Sequence, residues 1–310
     1  MLVAAPAWGA PPRRIADLWY AHNATVVMLG AADRIAITVD SPAAQPWMYR
    51  VAPSLRHATV VAANPANAEA LLAAGVDLVF VGQAAEADRL TRLGLPARAL
   101  AFTDVKSMRA SLQNTAEALG GPTAQARVRA YDAYLDAVLA RLQRGLRGTP
   151  AEGRPRILHL GSLSPLRADG AGTLIDEWIT LAGGRNVATE LHGTLQPVSI
   201  EQIARWNPDL IVVGGQDARP DDDPLATVPG LKGRRIVRNP SGVYQWDRHG
   251  PEFALQLLWA AKLFHPARFA DISMIAETTG FYRRFFGYPL SAGEAALILA
   301  AEPPPAGPKS

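Results

Sequence analysis

The sequence predicts an α/β protein in which two doubly wound α/β lobes are joined by one long interdomain helix, with a cleft between the lobes. Three observations predict this fold class. Both halves alternate short β-branched runs with amphipathic helical stretches, as parallel sheets covered by helices do. Residues 66–82 and 199–215 follow one plan, in which a Glu near a helix start precedes an apolar helix and a strand ending in Gly. A much longer helical pattern separates these two repeats.

The first half contains the alternation expected of one complete lobe. After a first strand that ends before Trp19, near-continuous apolar runs predict strands at 34–39, 76–82 and 97–102. Helices are predicted at 24–29, 64–75, 86–93 and 104–119. These elements form an N-terminal lobe over residues 11–121.

The middle of the chain predicts one long helix. Apolar residues recur there in steps of three and four, at Val128, Tyr131, Leu135, Val138, Leu142 and Leu146. A helix of about 25 residues would be about 37 Å long, which is too long for an ordinary crossover and suits a connection between lobes. The connecting helix is assigned to residues 122–148.

The second half repeats the alternation of the first. Strands are predicted at 156–161, 209–215 and 234–239, and helices at 172–184, 199–208, 251–264 and 269–286. These elements form a C-terminal lobe over residues 149–290. Residues 291–310 are predicted to be a tail, and the Pro-rich composition of its last residues indicates disorder.

Composition excludes several classes of protein. The formal net charge of +3 over 310 residues, without a dense Lys/Arg run, argues against nucleic-acid binding. The absence of cysteine excludes disulfides, thiolate metal ligands and Cys nucleophiles. No apolar run approaches the roughly 18–20 residues of a membrane span. Ala5-Pro6-Ala7 is interpreted as the end of an export signal that is incomplete in this chain.

Five segments carry a resemblance to a known family. They are residues 11–38, the two Glu-helix-strand repeats, the helix at 123–147, and the stretch at 239–269 that begins "NPSGVYQWDRHGPEF". With these segments the chain resembles the periplasmic substrate-binding proteins of ABC importers for iron–siderophore complexes, haem and cobalamin, in the class with a single-helix backbone. One departure is that only about ten residues precede the first strand, where family members carry a signal sequence and a β-hairpin.

The resemblance implies a function as well as a fold. It implies a periplasmic monomer that has no permanently bound cofactor, holds its ligand between the lobes, and closes by only a few degrees. It also implies docking to an ABC permease of the inner membrane through Glu69 and Glu201, which occupy equivalent places in the two repeats. The alternative for these two residues is that they are helix-N-terminal glutamates favoured by the helix dipole.

The candidate ligand-binding residues follow the carboxyl ends of the predicted strands, where open α/β sheets place their ligands. They are Trp19, His22, Trp47, Tyr49, Arg50, Gln83, Arg167, Gln216, Tyr244, Trp246, Arg248 and His249. Aromatic faces with Arg and amide groups suit an anionic metal chelate such as an iron–siderophore complex or a haem-like ligand. The structural alternatives are that Trp19 lies in the core and that Arg167 simply pairs with Asp169.

Two other functions are weighed against chelate binding. A receptor for a bare divalent cation would use His and carboxylate ligands, for which His22, His192 and His249 are the candidates, although no clustered metal signature is present. An enzyme is not expected, because the sequence has no Gly-x-Ser-x-Gly, no Gly-x-Gly-x-x-Gly after the first strand, and no phosphate-binding Gly-x-x-x-x-Gly-Lys-Ser/Thr.

Overall fold

The computed structural model describes residues 11–62, 66–214 and 234–305, and its first half forms a parallel sheet. The strands are β1 (Ile15–Asp17), β2 (Ile35–Thr38), β3 (Thr59–Val60), β4 (Leu78–Val81) and β5 (Ala97–Ala99). Their order is β3-β2-β1-β4-β5, and every neighbouring pair is parallel. Because all these strands run in the same direction, their carboxyl ends lie along one edge of the sheet.

Helices form the crossovers of this sheet. They are α1 (Asn23–Met28), α2 (Pro46–Val51), α3 (Ala68–Ala73), α4 (Ala84–Arg92) and α5 (Val105–Leu119). Asn67 caps α3 by accepting a hydrogen bond from the N–H of Ala70, and Asp104 and Ser107 form a capping box at the start of α5. These caps explain why both helices begin where the sequence leaves its loop composition.

A single long helix, α6 (Pro122–Gly145), follows the first sheet. Pro122 starts it after two glycines with positive φ, and its apolar stripe, which includes Val128 and Leu135, is buried. The Tyr131 hydroxyl donates a hydrogen bond of 2.8 Å to the carbonyl of Pro251. This bond ties α6 to the second half of the chain.

The second half forms a mixed sheet. Its strands are β6 (Arg156–Leu163), β7 (Leu166–Ala168), β8 (Arg185–Asn186), β9 (Gln196–Pro197), β10 (Leu210–Val213) and β11 (Arg235–Arg238). The order is β11-β10-β6-β7-β9, with β8 also paired to β6. Strand β7 is antiparallel to both β6 and β9, whereas β6, β10 and β11 are parallel. The parallel part again aligns its carboxyl ends at one edge.

Among the described residues, five α-helices accompany the second sheet. They are α7 (Leu174–Leu181), α8 (Ile200–Trp206), α9 (Phe253–Phe264), α10 (Met274–Phe281), which continues into a π-helical turn at Tyr282–Phe286, and α11 (Ala292–Leu299). Two buried clusters each cover one face of one sheet, and the largest cluster joins the remaining faces through α6 and α9. Within the described ranges, no helix has the length and apolar character that crossing a membrane requires.

The predicted fold class is confirmed, and the differences are local. The sequence analysis did not predict α2, the antiparallel strands β7 and β9, or α11, because each is too short to show a clear period. Residues 291–310, predicted as a tail, include α11, whose Ala295 and Ile298 are buried in the core. The proposed lobe boundaries, 11–121, 122–148 and 149–290, stay a prediction.

Candidate ligand-binding cleft

Aromatic rings from the two lobes meet near the ends of the strands. Trp19 follows β1, Phe102 follows β5, and His249 lies in the loop after β11. The ring centroid of His249 lies 5.0 Å from that of Phe102 and 5.6 Å from that of Trp19. The Trp19 and Phe102 centroids are 5.9 Å apart. These three rings therefore connect the lobes across one side of the predicted cleft.

Neutral polar groups surround these rings. Burial, followed by the nearby charge of Arg248, lowers the pKa of His249 to about 4, so this imidazole is neutral near pH 7. Burial, followed by the charge of Asp40, raises the pKa of Tyr244, which keeps its hydroxyl proton. Tyr20, close to Tyr244, is 45% exposed. The cleft therefore presents hydroxyl donors next to a cationic Arg248.

Arg248 is held by a buried network, called here the Arg248 network, that also contains Asp169, His159 and Asp247. The Nη1 and Nη2 atoms of Arg248 donate to the two carboxylate oxygens of Asp169 at 3.0 and 3.2 Å. The imidazole of His159 lies 2.8 Å from Asp169 through Nδ1 and 2.9 Å from Asp247 through Nε2. The Arg248 Nε lies 3.7 Å from the Asp247 carboxylate. The network thus runs from the core of β6 to the cleft.

Two glycines at strand ends leave room for this network. A Cβ on Gly161, in β6, would collide with the Arg248 guanidinium, and a Cβ on Gly214, after β10, would collide with the Asp247 carboxylate. A larger residue at either position would displace a charged side chain from its partner. The glycines that end the two predicted strands therefore serve the packing of the network.

The loop at 239–253 is organised by a buried carboxylate, Glu252. This carboxylate accepts hydrogen bonds from the N–H groups of Val243 and Tyr244, the Tyr282 hydroxyl, and the Trp246 indole Nε1 at 2.9 Å. Burial, opposed by these hydrogen bonds, raises the pKa of Glu252 to about 7. Trp246 is fully buried, and its indole ring packs in the core and donates to Glu252, so its role as a platform for the ligand stays a prediction.

The first lobe contributes a buried carboxyl, Asp40, near Tyr244. Among the described residues, no hydrogen bond of normal geometry reaches either carboxyl oxygen of Asp40. Burial, followed by the charge of Asp17, raises the pKa of Asp40 to about 8, although the neighbouring Asn23 side chain lowers this pKa somewhat. At neutral pH this carboxyl is therefore protonated and adds little negative charge to the cleft.

The predicted ligand residues at 47–50 are placed elsewhere by the structure. They lie in α2, where Trp47 and Tyr49 are each only 2% exposed. The Trp47 indole donates to the Glu302 carbonyl and the Tyr49 hydroxyl to the Asp40 carbonyl. Arg50 donates to the Tyr288 hydroxyl and pairs with Glu294 of α11. The structure thus places Trp47 and Tyr49 in the packing between α2 and neighbouring segments, while the Arg50 side chain stays 37% exposed beside α11, and their contact with a ligand stays a prediction.

His22 is likewise a structural residue. It is 2% exposed, with Nδ1 2.8 Å from the Asp17 carboxylate and Nε2 2.9 Å from the Thr115 hydroxyl. Both ring nitrogens therefore have protein partners, and contact of His22 with a ligand or metal stays a prediction that these bonds do not favour. Its ring stacks on Trp19 at 6.1 Å and so supports the cleft from behind.

The remaining candidates are scattered. Gln83 is exposed directly after β4, and Arg167 of β7 donates to the Leu195 carbonyl instead of pairing with Asp169. His192 is exposed on a loop, and Gln216 lies outside the described residues. In residues 11–62, 66–214 and 234–305, no group of three or more His or carboxylate side chains is arranged to hold a metal ion. The described residues thus offer no cage for a bare cation.

Several residues of this region were missed by the sequence analysis. Phe102 ends a predicted strand, so the strand-end rule would have selected it had aromatic residues within predicted strands been considered. The sequence indicates Asp169 only as a partner of Arg167, and Asp247 is not among the candidate residues. His159 sits within an apolar strand, and no sequence signal distinguishes it from an ordinary core histidine.

Comparison with known proteins identifies the family. The model of a family described as "Periplasmic binding protein" matches residues 15–247 of the chain. The chain belongs to the periplasmic binding protein family. The resemblance inferred from the sequence is therefore confirmed. As a member, the chain is a substrate-binding protein and not an enzyme, and it carries a transported ligand in place of a permanent cofactor.

Three relatives show how this periplasmic binding protein compares with others. The molybdate-binding protein MolA of Haemophilus influenzae is 30% identical over 125 residues, which are 38% of this chain and only 35% of MolA. The solved structure of MolA bound to molybdate has a TM-score of 0.78 and 22% identity, covering 90% of this chain and 94% of that one.

The other two are solved structures as well. A periplasmic solute-binding protein from Veillonella parvula has a TM-score of 0.78 and 24% identity, covering 94% of this chain and 92% of its own. Helicobacter pylori CeuE with Ni(II) bound has a TM-score of 0.75 and 18% identity, covering 94% of this chain and 95% of its own. At these identities the structures establish a shared fold.

Proposed function

We propose that this chain is the substrate-binding component of an ABC importer and that it captures a compact anionic metal species between its lobes in the periplasm. The ligand class is a molybdate-like oxyanion or a small anionic metal chelate. Capture involves no bond chemistry: the ligand enters the cleft, the lobes close slightly on it, and the complex docks to a membrane permease.

The observation that carries this proposal is the position of Arg248. Its side chain is 12% exposed and lies in the cleft loop, while its two carboxylate neighbours are fully buried behind it. A guanidinium has five N–H donors, and two of them point to Asp169, so donors remain for a ligand oxygen. Arg recognises oxyanions by such charge-assisted hydrogen bonds.

The aromatic contacts favour a compact ligand. Trp19, Phe102 and His249 already touch across the cleft, which leaves little width between them for a flat macrocycle. MolA, which matches part of the chain, is named for molybdate, and this supports an oxyanion. The iron–siderophore or haem-like chelate predicted from the sequence is the second candidate, favoured by the exposed aromatic face of Tyr20.

Tryptophan fluorescence tests the ligand class directly. The full chain is titrated with sodium molybdate, a ferric siderophore, haemin, cobalamin and free Ni²⁺, because Trp19 lies at the cleft and reports on occupancy. We expect saturable quenching by molybdate, and about 100-fold weaker binding by Arg248→Ala, which loses charged hydrogen bonds worth roughly 1.5–3 kcal/mol. Arg144→Ala, an arginine of α6, is the matched control. Saturation by free Ni²⁺ while every anion fails would refute the proposal.

Docking to the permease is proposed to involve Glu69 and Glu201. Both glutamates are exposed in the first turn of equivalent helices, α3 and α8. Each lies beside an exposed apolar side chain, Leu72 at 48% and Ile200 at 38% exposure. A carboxylate next to an apolar side chain on each lobe suits a bipartite protein contact in which charge fixes the register.

Charge reversal tests this contact without touching the cleft. The double variant Glu69→Lys/Glu201→Lys should lose uptake of the ligand in cells that carry the cognate permease, while the Kd of the purified protein stays the same. Glu117→Lys, at an exposed position of α5, is the control. Unchanged uptake by the double variant would remove both glutamates from the docking surface.

A further inference from the structure

Arg248 is fixed from one side by groups that the ligand itself cannot reach. Asp169, His159 and Asp247 are each 0% exposed, whereas the Arg248 side chain retains access to the cleft. Asp169 receives both terminal nitrogens of the guanidinium, and His159 in turn bridges Asp169 and Asp247. The fork geometry leaves the guanidinium one orientation, so the buried groups determine which of its N–H donors face the cleft.

The charge of the Arg248 network depends on the proton of His159. Burial alone would raise the pKa of Asp169, but His159 and Arg248 outweigh it and hold that pKa well below its usual range. Burial alone would lower the pKa of His159, but its bonds to Asp169 and Asp247 outweigh it and raise that pKa. With His159 protonated, two cations balance two carboxylates. With His159 neutral, the network carries one net negative charge beside the cleft.

We infer that Asp169, His159 and Asp247 are positioning residues for anion capture, which orient Arg248 and, through the imidazolium between the two carboxylates, keep the network from repelling the ligand. This inference rests on the proposed function, since it presupposes an anionic ligand at Arg248. It assigns a role in binding to three residues that do not touch the ligand.

Among the described residues, the groups packed around His159 can be named one by one. Asp169 reaches it from the segment after β7, and Asp247 from the 239–253 loop. Trp178 of α7 packs edge-on against its ring at 5.9 Å and carries no charge. Beyond these lie the charged Arg248 and the neutral His249. Farther off lie two carboxyls whose pKa is raised by burial: Asp40, near Tyr244, and Glu252, which bonds to Val243, Tyr244, Trp246 and Tyr282.

If the network only stabilises the lobe, the affinity for the ligand should not change with pH. If it positions Arg248 for the ligand, the affinity should depend on pH. Isothermal titration calorimetry with molybdate measures Kd from about pH 6 to pH 9, a range that starts near the ordinary histidine pKa of about 6.5. The parent is Asp40→Asn, which removes the carboxyl that would otherwise titrate at about pH 8. We expect the affinity of the parent to fall as pH rises and His159 loses its proton.

Two variants on this parent locate the effect. His159→Gln should bind molybdate about tenfold more weakly at pH 6, with a flat pH profile, because its amide can bond to a carboxylate but carries no charge. Asp169→Asn should also bind about tenfold or more weakly, which is the range seen when an outer partner of a metal ligand is lost. The control is His265→Gln, whose histidine bonds to the Gly183 carbonyl in the same lobe, and it should keep both Kd and profile.

The outcomes distinguish this inference from the proposed function. If molybdate binds through Arg248 but neither pH nor these variants change Kd, the positioning role is overturned and the proposed function stands. If no anion of the panel binds the unmodified chain, both fall together. Should His159→Gln fail to fold, the profile of the parent and Asp169→Asn decide the question, since a flat profile with unchanged Asp169→Asn affinity overturns the inference.

Discussion

Two buried histidines, one in each lobe, have closely similar surroundings and differ in what lies beyond them. His22 is bonded to Asp17 at 2.8 Å and to the Thr115 hydroxyl at 2.9 Å. His159 is bonded to Asp169 at 2.8 Å and to Asp247 at 2.9 Å. Both rings are thus fully engaged, and burial alone does not distinguish them.

The difference lies in the final partner of each chain of hydrogen bonds. In the first lobe, the Thr115 hydroxyl donates a hydrogen bond to the Ser111 carbonyl, so the chain of hydrogen bonds ends inside the core. In the second lobe the chain ends on Arg248, at the cleft. For Asp17, burial raises the pKa by more than His22 lowers it, so the pKa is raised. For Asp169, His159 and Arg248 together lower the pKa by more than burial raises it, so the pKa is lowered. The buried His–Asp pair of the second lobe therefore reaches a cation at the cleft, whereas the described contacts of the pair in the first lobe end in the core.

The largest expected effect tests this contrast through stability. Asp169→Ala should lower the free energy of unfolding by about 3–5 kcal/mol, because it leaves the buried charges of Arg248 and His159 without their main partner. Asp17→Ala should cost only about 1–3 kcal/mol, the loss of a buried hydrogen bond. Urea unfolding at pH 7 measures both.

The control is Asp136→Ala, which removes half of an exposed ion pair with Arg109 and should cost less than about 1 kcal/mol. Equal losses for Asp169→Ala and Asp17→Ala would contradict the contrast between the lobes. That result would mean that the Arg248 guanidinium forms hydrogen bonds with water once Asp169 is removed.

The sequence was sufficient for the parts of the fold that have a long period. Helix α6 has a stripe of six apolar residues in steps of three and four, and its predicted range of 122–148 begins at the observed first residue and ends three residues beyond the last. The strand–Gly endings of β4 and β10 were also readable. Helix α2 was not, because six residues that begin at Pro46 show less than two turns of periodicity and resemble a loop.

The site was harder to predict because it depends on contacts that are distant in sequence. The strand-end rule selects Trp19 and the 239–253 loop, which the structure brings together through His249, but it cannot tell which side chains of a loop turn inward. Trp246 turns inward because Glu252, six residues on, offers a buried acceptor. Arg248 is oriented by Asp169, which is 79 residues away, and no local pattern encodes that pairing.

A second test concerns the first lobe, whose buried Asp40 has no cation. Its folded pKa, about 8, lies above the ordinary value of 3.8, so its contribution to stability is present at low pH and is lost as pH rises from about 4 to 8. Asp40→Asn should therefore raise the free energy of unfolding at pH 9 by about 2–4 kcal/mol, since each pKa unit corresponds to about 1.36 kcal/mol.

Asp40→Asn should raise the free energy of unfolding much less at pH 4.5, where the wild-type carboxyl is protonated in the folded state. Urea unfolding of both proteins at the two pH values measures the difference. Asp33→Asn, at a surface position of the same lobe, is the control. A gain of the same size at both pH values would show that the amide improves packing and that ionisation of Asp40 is not the cause.

The smallest effect concerns the ring contact that joins the lobes. The folded pKa of His249, about 4, lies below the ordinary value of 6.5, so its contribution to stability is present above about pH 6.5 and is lost as pH falls towards 4. At pH 5 the loss should be about 1 kcal/mol, because the ring is partly exposed and its charge is partly screened by water.

His249→Phe keeps an aromatic ring against Trp19 and Phe102 and cannot take up a proton. It should therefore remove this acid-dependent loss while leaving the stability at pH 7 within about 1 kcal/mol of the wild type. His192→Gln, at an exposed histidine of the other histidine-bearing loop, should leave the loss in place. If His249→Phe loses as much stability between pH 7 and pH 5 as the wild type does, the acid sensitivity arises elsewhere. If His249→Phe is as stable at pH 5 as at pH 7, a neutral ring at this position holds the lobes together.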